Sequence, residues 1–156
     1  GLGHDKQIET KIERTVGIPA VTTSSAVVAA LKRMKVTKVA VATPYIPEIN
    51  RLVKKFLLSN MFQVVDLKSL GIKDNLKIGK LPGEETYGLV TRLNYANADG
   101  IFISCTNLAT VDIIKGLEKT TGKIVVSSNT ATLWAMLKKC GTRINIKGFG
   151  KLLETL

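Results

Sequence analysis

Four short apolar segments recur along the chain, each followed by a longer segment with helical periodicity. They are rich in Val and Ile, which is typical of strands buried on both faces of a sheet. They span residues 36–43, 62–67, 101–104 and 123–127. Because strand and helix alternate four times, the pattern predicts a parallel, doubly wound sheet with right-handed crossovers. The predicted fold class is α/β, a four-stranded Rossmann-like or flavodoxin-like unit with helices on both faces.

The helical segments have recognisable starts. Pro47 opens the first, and its apolar residues follow the helical period closely. A polar loop with several glycines precedes the second, which is predicted over about residues 84–97. Thr110 is a candidate cap for the third helix, and Ser128 or Asn129 for the fourth.

Part of this pattern occurs twice at a constant offset. Residues 13–33 resemble residues 118–138 in the order helix, glycine, short strand, hydroxyl pair and second helix. Glu13 recurs as Glu118. The sequence therefore predicts one complete α/β unit and a partial copy of a second such unit.

The repeat divides the chain into three predicted parts. Residues 1–35 are the remnant of a first α/β unit, residues 36–140 are a complete second unit, and residues 141–156 are a C-terminal segment that packs on the first unit. The strand that should precede the first copy would lie before Gly1, and Gly1 is not Met. We therefore expect a truncated or processed piece of a two-unit protein. The alternative is a small natural domain with an extra N-terminal helix and strand.

The third predicted strand leads directly into a cysteine. Cys105 would lie at the carboxyl end of that strand, where open α/β sheets bind ligands. N–H groups turned toward a following helix N-terminus would hold an anion there and let the thiol act as an acid/base or nucleophile. We therefore predict a site for carboxylate chemistry. The alternative is a buried cysteine that only fills the core.

The charge of the chain favours small anions as ligands. The formal net charge is +11, but the basic residues are spread over almost every predicted element and only 5% of the residues are aromatic. Since no groove-reading motif is present, we expect no specific nucleic-acid partner. The positive charge would instead raise the local concentration of small anions.

Several other classes of protein are disfavoured. No apolar run approaches the length of a bilayer span, so no membrane association is expected. The chain has two cysteines and nothing like a signal peptide, which favours a reduced, cytoplasmic setting without disulfides. No His, Cys or Asp cluster has metal-ligand spacing, so no metal site is predicted. The absence of GxGxxG and P-loop motifs gives no indication of a nucleotide.

Four ordered motifs carry a family resemblance. They are VATPYIPEIN (41–50), SLGIKDNLKIGKLP (69–82), ISCTNLAT (103–110) and VVSSNTATLWAML (125–137). Together they resemble the aspartate/glutamate racemase superfamily, most closely the branch of maleate cis-trans isomerase and arylmalonate decarboxylase. The resemblance covers essentially the whole chain. It implies two α/β units that face each other across a cleft, one cysteine from each unit, no cofactor and a homo-oligomer.

The resemblance also implies roles for individual residues. Cys105 matches the cysteine of the second unit, which donates or removes a proton at the carbon next to the substrate carboxylate. The residues that would bind a carboxylate or its enolate, or lie beside such a binder, are Thr43, Tyr45, Asn75, Thr106 and Asn107. Each has a structural alternative as a packing, turn or capping residue.

The implied activity is cofactor-independent isomerisation of a small dicarboxylate, maleate to fumarate, by cysteine acid/base and covalent chemistry. No residue matches the first unit's cysteine, so arylmalonate-type decarboxylation and amino-acid racemisation stay open. For the same reason we expect the chain alone to be inactive. A non-catalytic carboxylate-binding domain is the alternative from another class.

Overall fold

A four-stranded parallel sheet forms the centre of the fold. The computed structural model describes residues 3–156. The strands are β1 (Lys38–Thr43), β2 (Gln63–Ser69), β3 (Gly100–Ile103) and β4 (Ile124–Ser127). They lie in the order β2-β1-β3-β4, and each neighbouring pair is parallel. The predicted sheet is confirmed.

Helices cover both faces of the sheet. They are α1 (His4–Val16), α2 (Thr23–Arg33), α3 (Pro47–Ser59), α4 (Asn75–Gly79), α5 (Gly83–Thr91), α6 (Ile114–Thr121), α7 (Ser128–Lys139) and a final 3₁₀ helix (Lys151–Thr155). Among residues 3–156, none of them is both long and apolar enough to cross a membrane.

The central strand β1 separates two apolar clusters. Successive strand residues point to opposite faces, so Val39 and Val41 join one cluster while Ala40 and Ala42 join the other. The first cluster lies against α2, α3 and α7, and the second against α5 and α6. Cys105 belongs to the second cluster. The candidate thiol is therefore held at the edge of a packed core.

The structure corrects the predicted helix at residues 84–97. Its helical part ends at Thr91. The Asp66 carboxylate accepts the backbone N–H of Asn94 at 2.7 Å, which draws the chain away from a helical path. The polar loop before this helix contains the short helix α4, which the sequence pattern did not reveal. Its cap is Asp74, whose side chain accepts the Leu76 N–H.

Two predicted helix caps are also wrong. Helix α6 starts at Ile114, and Thr110 donates its hydroxyl hydrogen to Ser127 instead of capping that helix. Helix α7 is capped by Ser127, in a reciprocal capping box with Thr130, and not by Ser128 or Asn129.

The internal repeat is visible as matching hydrogen bonds. Each copy has a helix that ends at a glycine in the left-handed region, with φ of 73° in the first copy and 67° in the second. The repeated glutamate then accepts a backbone N–H beyond the turn. Glu13 Oε1 accepts that of Ala20 at 3.0 Å, and Glu118 Oε1 accepts that of Val125 at 3.2 Å. The two segments therefore share one local architecture.

One repeated element is absent from the first copy. Residues 18–22 are not a strand, because within residues 3–156 no neighbouring strand lies alongside them. The repeated helices α2 and α7 pack on each other, and Thr132 donates to the Thr23 hydroxyl between them. The final 3₁₀ helix packs on β4 and α7 and buries Leu152 and Leu153. The three-part division of the chain stays a prediction.

Glu118 provides a test of the repeated contact. Its carboxylate accepts the N–H groups of Val125 and Lys151, which ties α6 to β4 and to the C-terminal segment. Glu118→Ala leaves both donors without this acceptor, so we expect the free energy of unfolding to fall by about 1–3 kcal/mol. Glu118→Gln keeps an oxygen acceptor and is expected to lose less. Urea unfolding measures both, and equal losses would contradict this role.

The same residue has a predicted pH signature. Burial raises the pKa of Glu118, against the opposing effect of the N–H groups of Val125 and Lys151. The folded chain therefore binds this proton more tightly than the unfolded chain, and stability decreases as the pH rises through the raised pKa. As the pH rises through and above the ordinary glutamate range, at about pH 4.3, the free energy of unfolding in urea should therefore fall more in the wild type than in Glu118→Gln. Equal pH dependence of the two proteins would contradict this assignment.

Candidate active site

Cys105 lies at the carboxyl edge of the sheet, two residues beyond the end of β3. Only 6% of its surface is exposed. Its φ of 141° falls in the region that favours glycine, so the backbone is strained here. Its N–H donates to the Ser128 hydroxyl at 3.2 Å, and its sulfur accepts the Asn107 N–H at 3.3 Å. The surrounding structure thus holds the thiol in a defined position.

The donor at the sulfur differs from the predicted one. Helix α6 starts only at Ile114, so its N-terminus does not directly follow Cys105. The Asn107 N–H comes from a turn in which Leu108 also donates its N–H to the Cys105 carbonyl, at 3.4 Å. A backbone donor in this position can share the negative charge of a thiolate. The predicted donor at a helix N-terminus is therefore wrong, because a turn supplies the N–H. The carboxylate chemistry of the site stays a prediction.

Tyr45 meets the cysteine from the neighbouring strand. It follows the end of β1, is half-buried, and packs against the apolar cluster that contains Cys105. Burial raises the pKa of Tyr45 well above its ordinary value, and the hydrogen bond and charge of Cys105 raise it further, against a smaller opposing effect of Ser104. Tyr45 is therefore a neutral hydrogen-bond donor at the edge of the sulfur site.

Thr43 lies behind Tyr45 and supports it. Thr43 is fully buried, donates to Asn50 Oδ1 at 2.5 Å and accepts the Tyr45 N–H at 3.3 Å. Asn50 Nδ2 donates in turn to the Tyr45 carbonyl at 3.1 Å. The sequence reasoning missed Asn50, although an amide near the start of an amphipathic helix, inside a recognised motif, was a usable signal.

Asn75 and Asn107 are joined by hydrogen bonds. Asn107 Nδ2 donates to the Asn75 carbonyl at 2.7 Å and to its Oδ1 at 3.3 Å. The segment before Asn75 is tied to the Tyr45 turn, because the Ile72 N–H donates to the Pro44 carbonyl at 2.8 Å. Thr106 follows Cys105 and is exposed. The predicted residues thus come together in two linked pairs, Tyr45 with Cys105 and Asn75 with Asn107.

The start of α7 supports the cysteine loop. The Ser128 hydroxyl is 4% exposed and accepts the Cys105 N–H, while Asn129 Nδ2 donates to the Leu108 carbonyl at 3.2 Å. Sequence reasoning assigned both residues only to capping. Their position directly after β4, next to β3 in the sheet, is the signal that they face the cysteine loop.

The described residues offer no ready metal site. In the range 3–156, no three His, Cys, Asp or Glu side chains converge so that they could bind a metal ion.

A sizeable surface cavity lies away from Cys105, with a volume of about 570 Å³ between α1, α2 and α3. None of the predicted site residues lines this cavity.

The fold and the site define an α/β protein whose cysteine at a strand end is held in place by hydrogen bonds. Comparison with known proteins gives its family. Residues 1–153 match the family model described as arylmalonate decarboxylase. The chain belongs to this family, which confirms the resemblance found in the sequence motifs.

Both named activities of that branch occur among the relatives. The chain is 30% identical to a maleate isomerase of Pseudomonas putida over 99% of its own length and 64% of that protein. It is 29% identical to an arylmalonate decarboxylase of Bordetella bronchiseptica, over 99% of this chain and 65% of that protein. The crystal structure of the maleate isomerase Iso from Pseudomonas putida S16 superposes with a TM-score of 0.93 at 25% identity, covering 99% of this chain and 64% of that one. The chain spans less than two thirds of these relatives.

The environment of Tyr45 predicts its titration. Because its pKa is raised by burial and by Cys105, Tyr45 should stay protonated at least to about pH 11, beyond the ordinary range of tyrosine. Ultraviolet absorbance of tyrosinate should therefore develop identically in wild type and Tyr45→Phe up to that pH. A smaller absorbance change in Tyr45→Phe at or below about pH 11 would contradict this assignment.

Ser128 is expected to stabilise the strained cysteine loop. Ser128→Ala removes the acceptor of the Cys105 N–H and leaves a buried donor unpaired. The free energy of unfolding should fall by about 1–3 kcal/mol in urea titrations. Ser24→Ala is the matched control at an exposed position near the start of α2, and it should change stability by less than about 0.5 kcal/mol. Equal effects of the two substitutions would argue against this hydrogen bond.

Proposed function

We propose that the protein containing this chain catalyses cofactor-independent cis-trans isomerisation of a small dicarboxylate, maleate to fumarate. The observation that supports this most directly is the Cys105 sulfur at the sheet edge, with the Asn107 N–H and the Tyr45 side chain beside it. Similarity to relatives named maleate isomerase supports the same assignment. The proposal extends to the whole protein, since the chain covers 64% of the first relative.

The proposed reaction uses two thiols. A thiolate adds to one alkene carbon of maleate, and the electron pair of the double bond moves onto the other half of the molecule as an enediolate. The Cys105 S–H gives its proton to the second carbon. The intermediate now has a C–C single bond and can rotate. The Cys105 thiolate then removes the proton, the double bond re-forms, and the C–S bond breaks to release fumarate and the first thiolate.

The site residues would stabilise the charge that develops in this reaction. An enediolate carries two negative oxygens, and fixed donors in a site of low dielectric stabilise them better than mobile water does. Tyr45 can donate its hydroxyl hydrogen, because a phenol with an ordinary or a raised pKa is protonated at neutral pH. Asn75 and Thr106 are the other proposed donors to the carboxylates. The positive net charge of +11 would draw a dianionic substrate toward the protein.

The adding thiolate is assigned by resemblance to the other α/β unit. The second cysteine of this chain, Cys140, is exposed at the end of α7 and is not a candidate. Residues 1–156 alone are therefore proposed to bind maleate without isomerising it.

Decarboxylation of an arylmalonate is the second candidate. This reaction requires only one thiol, because loss of CO₂ leaves an enediolate that takes up a single proton, and Cys105 would supply that proton. The 29% identity to an arylmalonate decarboxylase is close to the 30% identity to a maleate isomerase, which keeps this candidate open. Racemisation of an amino acid would use the same proton transfer with a second acid/base on the opposite face.

Proton NMR of the full-length gene product that carries this chain tests the proposal. Maleate should give the fumarate signal, and Cys105→Ala should reduce the rate by at least about 100-fold, the usual effect of losing a general acid–base group. Cys140→Ser is the matched control and should keep the wild-type rate. Circular dichroism of both variants checks that they fold.

The other outcomes lead to different conclusions. Turnover of phenylmalonate to phenylacetate without fumarate formation would support the decarboxylase. Binding of maleate with no product from either substrate would support a non-catalytic carboxylate-binding domain. A Cys105 thiol that iodoacetamide labels only after unfolding would count against any catalytic role.

A further inference from the structure

One residue links the two halves of the candidate site. The Asn107 backbone N–H donates to the Cys105 sulfur at 3.3 Å. Its side-chain Nδ2 donates to the carbonyl of Asn75 at 2.7 Å and to the Asn75 Oδ1 at 3.3 Å. Asn107 is thus in contact with both the proposed proton donor and a proposed carboxylate binder.

This pairing determines how the Asn75 amide is presented. Asn107 Nδ2 can only donate hydrogen bonds, so the atom of the Asn75 side chain that faces it must be the oxygen. The two Nδ2 hydrogens of Asn75 then remain as donors. An amide held in this way offers N–H groups to a carboxylate, whereas the flipped amide would offer its oxygen and repel the carboxylate.

Gly79 makes room for the Asn107 side chain. A Cβ at Gly79 would lie 3.0 Å from Asn107 Nδ2 and 3.1 Å from its Oδ1, closer than ordinary carbon contacts. Gly79 ends α4 without a positive φ, so turn geometry does not require glycine here. The close approach of the amide is the physical reason for a glycine at this position.

Helix α4 needs such support. It has five residues, far fewer than an isolated helix requires. Its own contacts include the Asp74 cap and the buried side chain of Ile78, whereas Asn75 and Leu76 are exposed. The hydrogen bonds from Asn107 act directly on the residue that the proposed reaction uses.

We propose that Asn107 is a positioning residue whose side chain, seated against Gly79, holds Asn75 in a fixed orientation relative to the Cys105 sulfur. A dicarboxylate bound by Asn75 would then have its reacting carbon placed at the thiol. This inference rests on the proposed function, and it assigns the Asn107 side chain to Asn75 and not to the substrate.

A double-mutant cycle in the full-length protein tests this role. Asn75→Ala and Asn107→Ala should each raise KM about tenfold, the size expected for one hydrogen bond to a charged group. The double variant should be no worse than Asn75→Ala, because Asn107 acts only through Asn75. Multiplying effects would instead show direct contact of Asn107 with the substrate and overturn the proposal.

Thiol labelling distinguishes the effect of the Asn107 side chain from the effect of its backbone N–H. Asn107→Ala keeps the N–H that contacts the sulfur. The rate of Cys105 labelling by iodoacetamide at pH 7 should therefore stay within about twofold of the wild type, less than the loss of a charge-assisted hydrogen bond would cause. A tenfold change would show that the side chain acts on the sulfur and not on Asn75.

Gly79→Ala moves the Asn107 amide without removing any hydrogen-bonding group. It should raise KM in the same direction as Asn107→Ala. Gly88→Ala is the matched control in α5, since its Cβ would meet only Arg92 Nη1 at an ordinary 3.5 Å. Gly88→Ala should leave KM unchanged. If Gly79→Ala also leaves KM unchanged, the close packing of the Asn107 side chain against Gly79 is not needed and the proposal fails.

Hydrogen exchange gives a measurement that needs no substrate. Amides of α4 should exchange faster in Asn107→Ala and Gly79→Ala than in wild type and Gly88→Ala. Unchanged exchange would overturn the positioning role. Faster exchange in a protein that converts neither maleate nor phenylmalonate would support the positioning role and refute the proposed function.

Discussion

The hydrogen bond from the Cys105 N–H to the Ser128 hydroxyl is the contact on which the candidate site depends. Cys105 has a φ of 141°, a conformation that a residue with a side chain adopts only where its surroundings impose it. Ser128 comes from the strand-to-helix connection beside β3, so the parallel sheet itself brings donor and acceptor together. With the backbone held, the sulfur is directed to the Asn107 N–H and to Tyr45.

A second layer of polar residues supports the residues proposed to touch substrate. Thr43 and Asn50 are buried and hydrogen-bond the turn that carries Tyr45. Ser128 does the same for the cysteine, and Asn107 does so for Asn75. Each of these supporting residues bonds to a backbone group or to a side-chain oxygen of its partner. It therefore fixes the orientation of that partner and leaves the substrate-facing side of the site free. This division fits a reaction whose requirement is placement of donors around a developing negative charge.

The two repeated glutamates make the same kind of hydrogen bond in the two copies of the repeat. Glu13 and Glu118 both close the turn after a helix by accepting an N–H of the following segment. Their surroundings differ, because the Lys139 ammonium lowers the pKa of Glu13 while burial raises that of Glu118. One local motif therefore places its glutamate beside an ammonium group in the first copy and in surroundings that desolvate it in the second.

The sequence by itself determined the elements whose causes are local. The apolar runs and helical periods predicted the four strands. Cys105 could be recognised as a candidate site residue because open α/β sheets bind ligands at the carboxyl ends of their strands. The repeated Glu and Gly positions could be recognised in the sequence because the hydrogen bonds of this motif join residues that are only a few positions apart. Only the tertiary structure decided the contacts of Ser128, Asn107 and Gly79. Their partners lie many residues away in the chain and become neighbours only when the strand order places β3 beside β4 and packs α4 against the cysteine loop.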